Sequence, residues 1–240
     1  MGKITRAVLA DLNKDLINCY VAVRDRTDQL LAQLQQLQRH TLDKRFYYQT
    51  ARKRFNEIQL QTGLEGDVEK ASLLLYLNKT CFNGLYRVNR KGGFNVPWGQ
   101  YKNPRIYNEK NLRAVQRALG QPGVSISCED FAESTSNAQA RDFVYFDPPY
   151  HPISRTSNFT AYTAQSFGWD DQVKLAQTFS DLHRRGCYVM LSNSPRVEKL
   201  YENPDFRIQR VKATRAISCM GDNRGPIQEL LVTSYQPPDL

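Results

Sequence analysis

The run Asp142-Phe-Val-Tyr-Phe-Asp-Pro-Pro-Tyr150 restricts the fold more than any other stretch of the chain. Phe143 to Phe146 read as a short buried strand, an apolar run followed at once by a breaker. Pro148 and Pro149 end it, because neither has an N–H to give to a neighbouring strand. Asp147, a main-chain carbonyl and the Tyr150 ring are left projecting from a strand's carboxyl end, which in open α/β sheets is where ligands sit. A carboxylate and a main-chain carbonyl are both pure acceptors, and together they can take both hydrogens of one amino group. The amino group of a nucleobase is a poor nucleophile, its lone pair being conjugated with the ring. Holding both hydrogens turns that lone pair towards an electrophile, and the positive charge that develops meets fixed negative dipoles. Tyr150 offers a face on which a planar base can stack once it has left the duplex. For Asp-Pro-Pro alone, a strand followed by a rigid turn is the plain structural alternative.

Upstream, residues 4–10 read as a strand that delivers Asp11 at its carboxyl end. An acid there can hold ribose hydroxyls, and either Asp11 or Asn13 can cap the next helix. That helix is predicted over 14–39 from Leu16, Ile17, Tyr20, Val23, Leu30, Leu31 and Leu34 at helical spacing. Its Gln-rich end reads as a solvated last turn. Helical patterning continues over 42–78, interrupted by Gly63 to Asp67. Arg52, Arg54 and Lys79 are candidate phosphate contacts as a group.

In the stretch from Phe82 to Pro97, Tyr86 and Val88, then Phe94 and Val96, alternate around Arg90-Lys-Gly-Gly93, the pattern of a β-hairpin. A basic two-stranded ribbon fits the major groove, and the planar fork of Arg87 matches the O6/N7 edge of guanine. Phe82 and Asn83 are placed to wedge into a base step or touch its phosphates. Lys102 and Arg105 follow, then a helix over 108–119 closed by Gly120, and a strand over 124–128 that runs into Glu129-Asp130-Phe131. Residues 151–168 form a polar loop too long for a simple connection, a lid with Phe159 and Tyr162 as anchors. A helix over 169–185, a strand over 187–193 and an antiparallel pair over 206–213 and 227–235 close the chain, with a loop over 215–224 as a further candidate phosphate contact.

Charge placement separates the middle of the chain from the rest. Residues 41–120 hold 15 Lys/Arg against 6 Asp/Glu, whereas the remainder holds 18 of each, so this segment carries the whole net charge of +9. A neutral body with one basic segment is the footprint of a polyanion-binding module. The five cysteines are odd in number and show no C-x-x-C spacing, which predicts reduced thiols in a cytoplasmic protein and no zinc or other metal site. No apolar run is long enough to span a bilayer.

Asp147–Tyr150, the downstream Ser157-Asn-Phe-Thr-Ala-Tyr162 and the upstream Asn83-Gly-Leu85 with Phe94-Asn-Val-Pro97 together resemble the Dam family of DNA adenine-N6 methyltransferases, from about Ala7 to Tyr235. The resemblance implies an α/β, Rossmann-like S-adenosylmethionine-dependent core, residues 1–40 and 121–240. A mostly helical target-recognition domain bearing the hairpin is inserted at 41–120. It implies methyl transfer to adenine N6 in double-stranded DNA at GATC, with no metal and no covalent intermediate. The amine is held by Asp147 and the Pro148 carbonyl, Pro149 shapes the turn, and Tyr150 stacks the base. The donor is bound by Asp11, Asp130, Phe131 and Asp147. Leu85, Arg87 and Pro97 fall on base-contacting positions and Phe82 and Asn83 on the wedge. Asn89, Asn95, Lys102, Arg52 and Lys79 complete the DNA-binding set.

The family's opening strand and its Phe-x-Gly-x-Gly donor loop have no counterpart in these 240 residues. The sequence therefore predicts a core that is incomplete at its start and grips only the ribose and adenine of the donor. It also predicts poor methyl transfer and an exposed sheet edge that favours aggregation. A catalytically inactive DNA-binding remnant and a cytosine-N4 methyltransferase are the alternative readings.

Overall fold

The computed structural model describes residues 5–150, 167–214 and 226–236. The predicted lid with Phe159 and Tyr162, and the whole 215–224 loop, lie outside the described residues. The described residues fall into two compact units, one ending at Asp130 and one beginning at Phe131.

In the first unit, β1 (Ala7–Ala10) ends at Asp11, and α1 (Lys14–Asp25) follows. Asn13, not Asp11, caps α1: its side-chain oxygen accepts from the N–H groups of Asp15 and Leu16. The helix predicted over 14–39 is two helices. Arg26, at φ −133°, breaks it, and α2 (Thr27–Leu37) starts in a new direction, with the Thr27 hydroxyl bonded back to the Val23 carbonyl. The Gln-rich end is solvated only in part: Gln35 and Gln36 are exposed, but Gln33 and Gln38 are engaged. Gln38 donates from Nε2 to the Pro104 carbonyl and accepts at Oε1 from the Ile106 N–H, and Gln33 accepts from the Ser72 hydroxyl. A primary amide can pair with a backbone N–H and C=O at once, so Gln38 pins a segment that has no strand to pin it.

Residues 44–57 make one helical run in three parts. α3 (Lys44–Phe46) leads into a π turn (Tyr47–Ala51), and α4 (Arg52–Glu57) follows. α5 (Val68–Thr80), capped by Asp67, lies at the centre of the unit's core. Leu30, Leu34, Tyr47, Phe55, Tyr76, Leu77 and Phe94 are all buried there, each contributing on the order of 1.5–3 kcal/mol from removal of apolar surface from water. Lys70 of α5 is buried among them. Its ammonium donates to the carbonyls of Phe55 (2.6 Å) and Ile58 (2.9 Å), lies 3.4 Å from Asp15 and sits over the Phe55 ring. After α6 (Glu109–Leu119), β2 (Val124–Ser127) pairs in parallel with β1, Ala7 opposite Val124 and Ala10 opposite Ser127.

The second unit opens with α7 (Phe131–Ser134) and β3 (Phe143–Phe146). α8 (Trp169–Arg184) leads through Gly186, at φ 81°, into β4 (Tyr188–Asn193). β5 (Arg207–Thr214) and β6 (Pro226–Thr233) complete a sheet of order β3-β4-β6-β5. β3 is parallel to β4; β6 is antiparallel to both β4 and β5, as the alternation in the sequence predicts for the closing pair. Phe146, Leu175, Phe179, Leu182, Val189, Leu191, Leu230 and Val232 form its core. The expectation of a buried strand at 143–146 is corrected: Phe143 and Tyr145 are 58% and 52% exposed, and only Val144 and Phe146 face the core. β3 is an edge strand of its sheet, so its alternate side chains divide between a covered and an uncovered face.

Candidate active site and nucleic-acid interface

β3 is parallel to β4, and the Pro148-Pro149 turn stops it with Asp147 at its carboxyl end. Asp147 is exposed, and its Oδ1 accepts from the Ser192 hydroxyl at 2.9 Å. Ser192, on β4, is also 3.0 Å from the Tyr145 hydroxyl. One carboxylate oxygen is thus fixed by the neighbouring strand, and no described residue takes the other. Behind the turn, Gln172 in the first turn of α8 donates to the Pro149 carbonyl (3.1 Å) and accepts from Asn193 Nδ2 (2.9 Å); Asn193 in turn accepts from the Ser194 N–H. Gln172 and Asn193 are both fully buried. This relay holds the Pro149 carbonyl, whereas no described donor reaches the carbonyl of Pro148. The Tyr150 hydroxyl is 3.4 Å from Glu229 on β6. Burial pushes its phenol up, the Ser192 hydroxyl works against that, and the carboxylates of Glu229 and Asp147 add to it.

A carboxylate oxygen and a carbonyl that no described residue takes, with a half-buried ring within four residues, form an acceptor pair beside a stacking surface. Such a corner can hold an amino group and stabilise positive charge that grows on it.

Asp11 and Asp130 lie at the carboxyl ends of the adjacent parallel strands β1 and β2. Asp11 is half-buried and accepts the Asn13 N–H at 2.7 Å; burial raises its carboxyl pKa, and that hydrogen bond partly offsets the rise. A carboxylate short of solvent gains most from outside donors, which fits a ribose diol. In the second unit, Phe131 packs edge-on against Phe146 and Phe167, with the Lys174 ammonium 5.1 Å from its ring centre.

Among the residues read as facing DNA, Phe82 is 42% exposed and Asn83 adopts a left-handed backbone, φ 54°. Asn is among the few residues that tolerate this region, and Gly84 beside it, at φ 62°, continues it. Residues 81–98 double back through two isolated antiparallel bridges, Cys81 opposite Trp98 and Val88 opposite Phe94, rather than through two continuous strands. The Asn89 N–H donates to the Gly93 carbonyl and the Asn95 N–H to the Arg87 carbonyl. The side-chain oxygen of Asn89 is used inside the turn, accepting from the N–H groups of Lys91 and Gly93. Arg87 donates from Nε to Asn95 Oδ1 (2.7 Å) and from Nη2 to the Asn95 carbonyl (3.2 Å). Leu85 is partly in the core, and the Pro97 carbonyl accepts from the Phe82 N–H.

Arg52 stacks over Tyr48, 4.5 Å from the ring centre, while Lys79 and Lys102 are exposed. Arg54 does not point outward as a free cation: both its Nε and Nη2 are held by Glu69 at 2.7 Å.

Ser192, Gln172 and Asn193, which brace the Asp147–Tyr150 corner, were missed by sequence reasoning. Their signal is faint, three polar side chains at the end of an apolar strand and the start of an amphipathic helix, whose partners lie 21 to 45 residues away. Among the described residues no cluster could hold a metal ion, and no helix is long and apolar enough to cross a membrane.

Comparison with known proteins bears on this geometry. Residues 2–217 match the model of the D12 class N6 adenine-specific DNA methyltransferases. The chain is 43% identical over 240 residues to the type II methyltransferase M.MjaIII of Methanocaldococcus jannaschii, covering 96% of this chain and 80% of the relative. It is 41% identical over 232 residues to the type II methyltransferase M1.LlaDCHI of Lactococcus lactis, again covering 96% and 80%. It is 36% identical over 236 residues to the DNA adenine methylase of Escherichia coli K12, covering 97% and 80%.

Proposed function

Because the chain belongs to the D12 class of N6 adenine-specific DNA methyltransferases, we propose that it methylates adenine site-specifically in double-stranded DNA, at GATC. Family membership sets aside the cytosine-N4 alternative. The observation that carries the catalytic reading is the Asp147–Tyr150 corner, with one carboxylate oxygen fixed by Ser192 and the other taken by no described residue. S-adenosylmethionine, the methyl donor of such enzymes, supplies the electrophile. Asp147 and the Pro148 carbonyl accept the two amino hydrogens of the target adenine, and Asp147 stabilises the charge that develops on N6. Tyr150 stacks on the base. The Gln172–Asn193 relay keeps the Pro-Pro turn from yielding when the base enters.

Asp11 and Asp130 take the ribose hydroxyls and the adenine amine of the donor, and Phe131 covers its ring. Residues 41–120 act as the target-recognition domain. Arg87, Leu85 and Pro97 read base edges, and Phe82 and Asn83 occupy the space left by the displaced base. Asn89, Asn95, Arg52, Lys79 and Lys102 position the backbone. The GATC reading rests on the match of these positions to the Dam pattern.

The test is direct. Calorimetric titration with donor, followed by nucleoside analysis of duplex DNA incubated with both, should show donor binding and N6-methyladenine confined to GATC. Methylation at another sequence would overturn the specificity and leave the chemistry. DNA binding without donor binding would favour the inactive DNA-binding reading instead.

A further inference from the structure

We infer that Asn95 sets the aim of Arg87, and that helical side chains fix Asn95 in turn, so that guanine recognition depends on a residue that need not touch the base. The inference rests on the reading of Arg87 as a base-contacting residue. A guanidinium has three edges, and Asn95 occupies one of them. Nε donates to Asn95 Oδ1 at 2.7 Å and Nη2 to the Asn95 carbonyl at 3.2 Å. The opposite edge, Nη1 with the second hydrogen of Nη2, is taken by no described residue, and it is this end-on fork that matches the O6/N7 pair of guanine. Both engagements can therefore hold at once. Fixing a long side chain before binding removes rotamer entropy that would otherwise be lost on contact.

Asn95 can play this part only if its own backbone is fixed, and the structure shows how. The extended segment that carries it pairs on its outer edge with no strand among the described residues. Its outer backbone groups are instead met by side chains of the 44–57 helical run. Asn56 exchanges two hydrogen bonds with Phe94: the Phe94 N–H donates to Asn56 Oδ1 (2.8 Å), and Asn56 Nδ2 donates to the Phe94 carbonyl (3.1 Å). The Tyr47 hydroxyl donates to the Val96 carbonyl (2.8 Å), and the Trp98 N–H donates to the Tyr48 hydroxyl oxygen (3.0 Å). Residues 94, 96 and 98 are thus held on one edge by a helix standing in for a strand. The π turn at 47–51 is where two consecutive tyrosines both reach that edge. Asn95, between two anchored neighbours, faces Arg87 across the arm and receives the reciprocal bond, Asn95 N–H to Arg87 carbonyl, at 3.1 Å.

The experiment is a binding assay on the whole chain, which needs no methyl transfer. A site is first selected from a random duplex pool, and affinities are then measured for duplexes carrying each of the four base pairs at the guanine read by Arg87. Arg87→Ala should lose about 5- to 150-fold of discrimination there. Asn95→Ala should lose about tenfold at that base pair, beyond whatever uniform weakening it causes on unrelated DNA. Asn95→Asp, which keeps the acceptor for Nε, should retain the preference for guanine while weakening binding to every duplex.

Full discrimination by a folded Asn95→Ala, or equal weakening on all DNA, overturns the inference while leaving Arg87 as the reader. If Arg87→Ala itself discriminates as the parent does, the underlying reading fails. A second measurement applies whatever the affinity: water exchange at Arg87 Nε–H in the DNA-free chain should be slow and should accelerate in Asn95→Ala. Fast exchange in the parent overturns the proposal.

Discussion

At the scale of single residues, Asp147 is the proposed catalytic carboxylate. Ser192 holds its Oδ1, and no described residue takes Oδ2, the oxygen assigned to the substrate in the proposed reaction. Asp147→Ala should reduce methyl transfer by about 10²–10³-fold with DNA binding retained, the usual cost of losing one preorganised electrostatic contact. Ser192→Ala removes one hydrogen bond and leaves the carboxylate in place, so single-turnover rates should fall by only about 2- to 10-fold. An equal loss in the two variants would place Ser192 in contact with substrate. The buried thiols give a second check. Burial raises Cys19 to about 12 and Cys81 to about 11, so neither should react with an alkylating reagent near pH 8 unless the protein unfolds. Because both values are raised in the folded state, the stability these groups contribute is complete below the ordinary 9.0 and is lost as pH climbs towards 11 to 12. An alkaline melting series should show that decline. Asp147 was legible in the sequence because two prolines mark a strand end unmistakably. Ser192, Gln172 and Asn193 were not, because a polar residue in a strand or helix gives no hint of a partner 21 to 45 residues away.

At the scale of elements, the hidden ammonium of Lys70 joins α5 to the ends of α4 and α1. It donates to the carbonyls of Phe55 in the last turn of α4 and of Ile58 just after it, and it shares Asp15 with the hydroxyl of Tyr86 in the 86–98 arm. Desolvation lowers its pKa, and the neighbouring Asp15 opposes that change. Lys70→Met keeps the volume and leaves these acceptors without their donor. It should lower stability by about 2–3 kcal/mol, the order expected for losing hydrogen bonds to a charged group, as measured by urea unfolding. A change within error would show that water replaces the ammonium. The helices at 14–25 and 27–37 were visible as one periodic stretch because hydrophobic spacing survives a break whose cause is the backbone of a single residue, Arg26. The arm was legible as an alternation around two glycines. What holds it was not, since Tyr47, Tyr48 and Asn56 read only as positions in a helix.

On the scale of the whole molecule, charge and sheet edges carry the consequences. Of the basic residues in 41–120, Lys53, Arg54, Lys70 and Arg113 lie in ion pairs with Glu57, Glu69, Asp15, and Glu109 and Asp28, respectively, so net charge overstates the surface available to phosphate. Lys102 is exposed, and Lys102→Ala should reduce the slope of log affinity against log salt by about one, with little change in sequence preference. An unchanged slope would remove Lys102 from the interface. β1 and β3 are edge strands in the described sheets, with Val8, Leu9, Phe143 and Tyr145 exposed on them, and such edges promote association. The relay from Pro149 through Gln172 to Asn193 has an evolutionary consequence. Two buried amides that satisfy each other cannot be exchanged one at a time without an intermediate that strands a polar group, at a cost of about 1–3 kcal/mol. Among relatives, positions 172 and 193 should therefore covary, changing as a pair or not at all, and the pair should be a sharper mark of a working Pro-Pro corner than either residue alone.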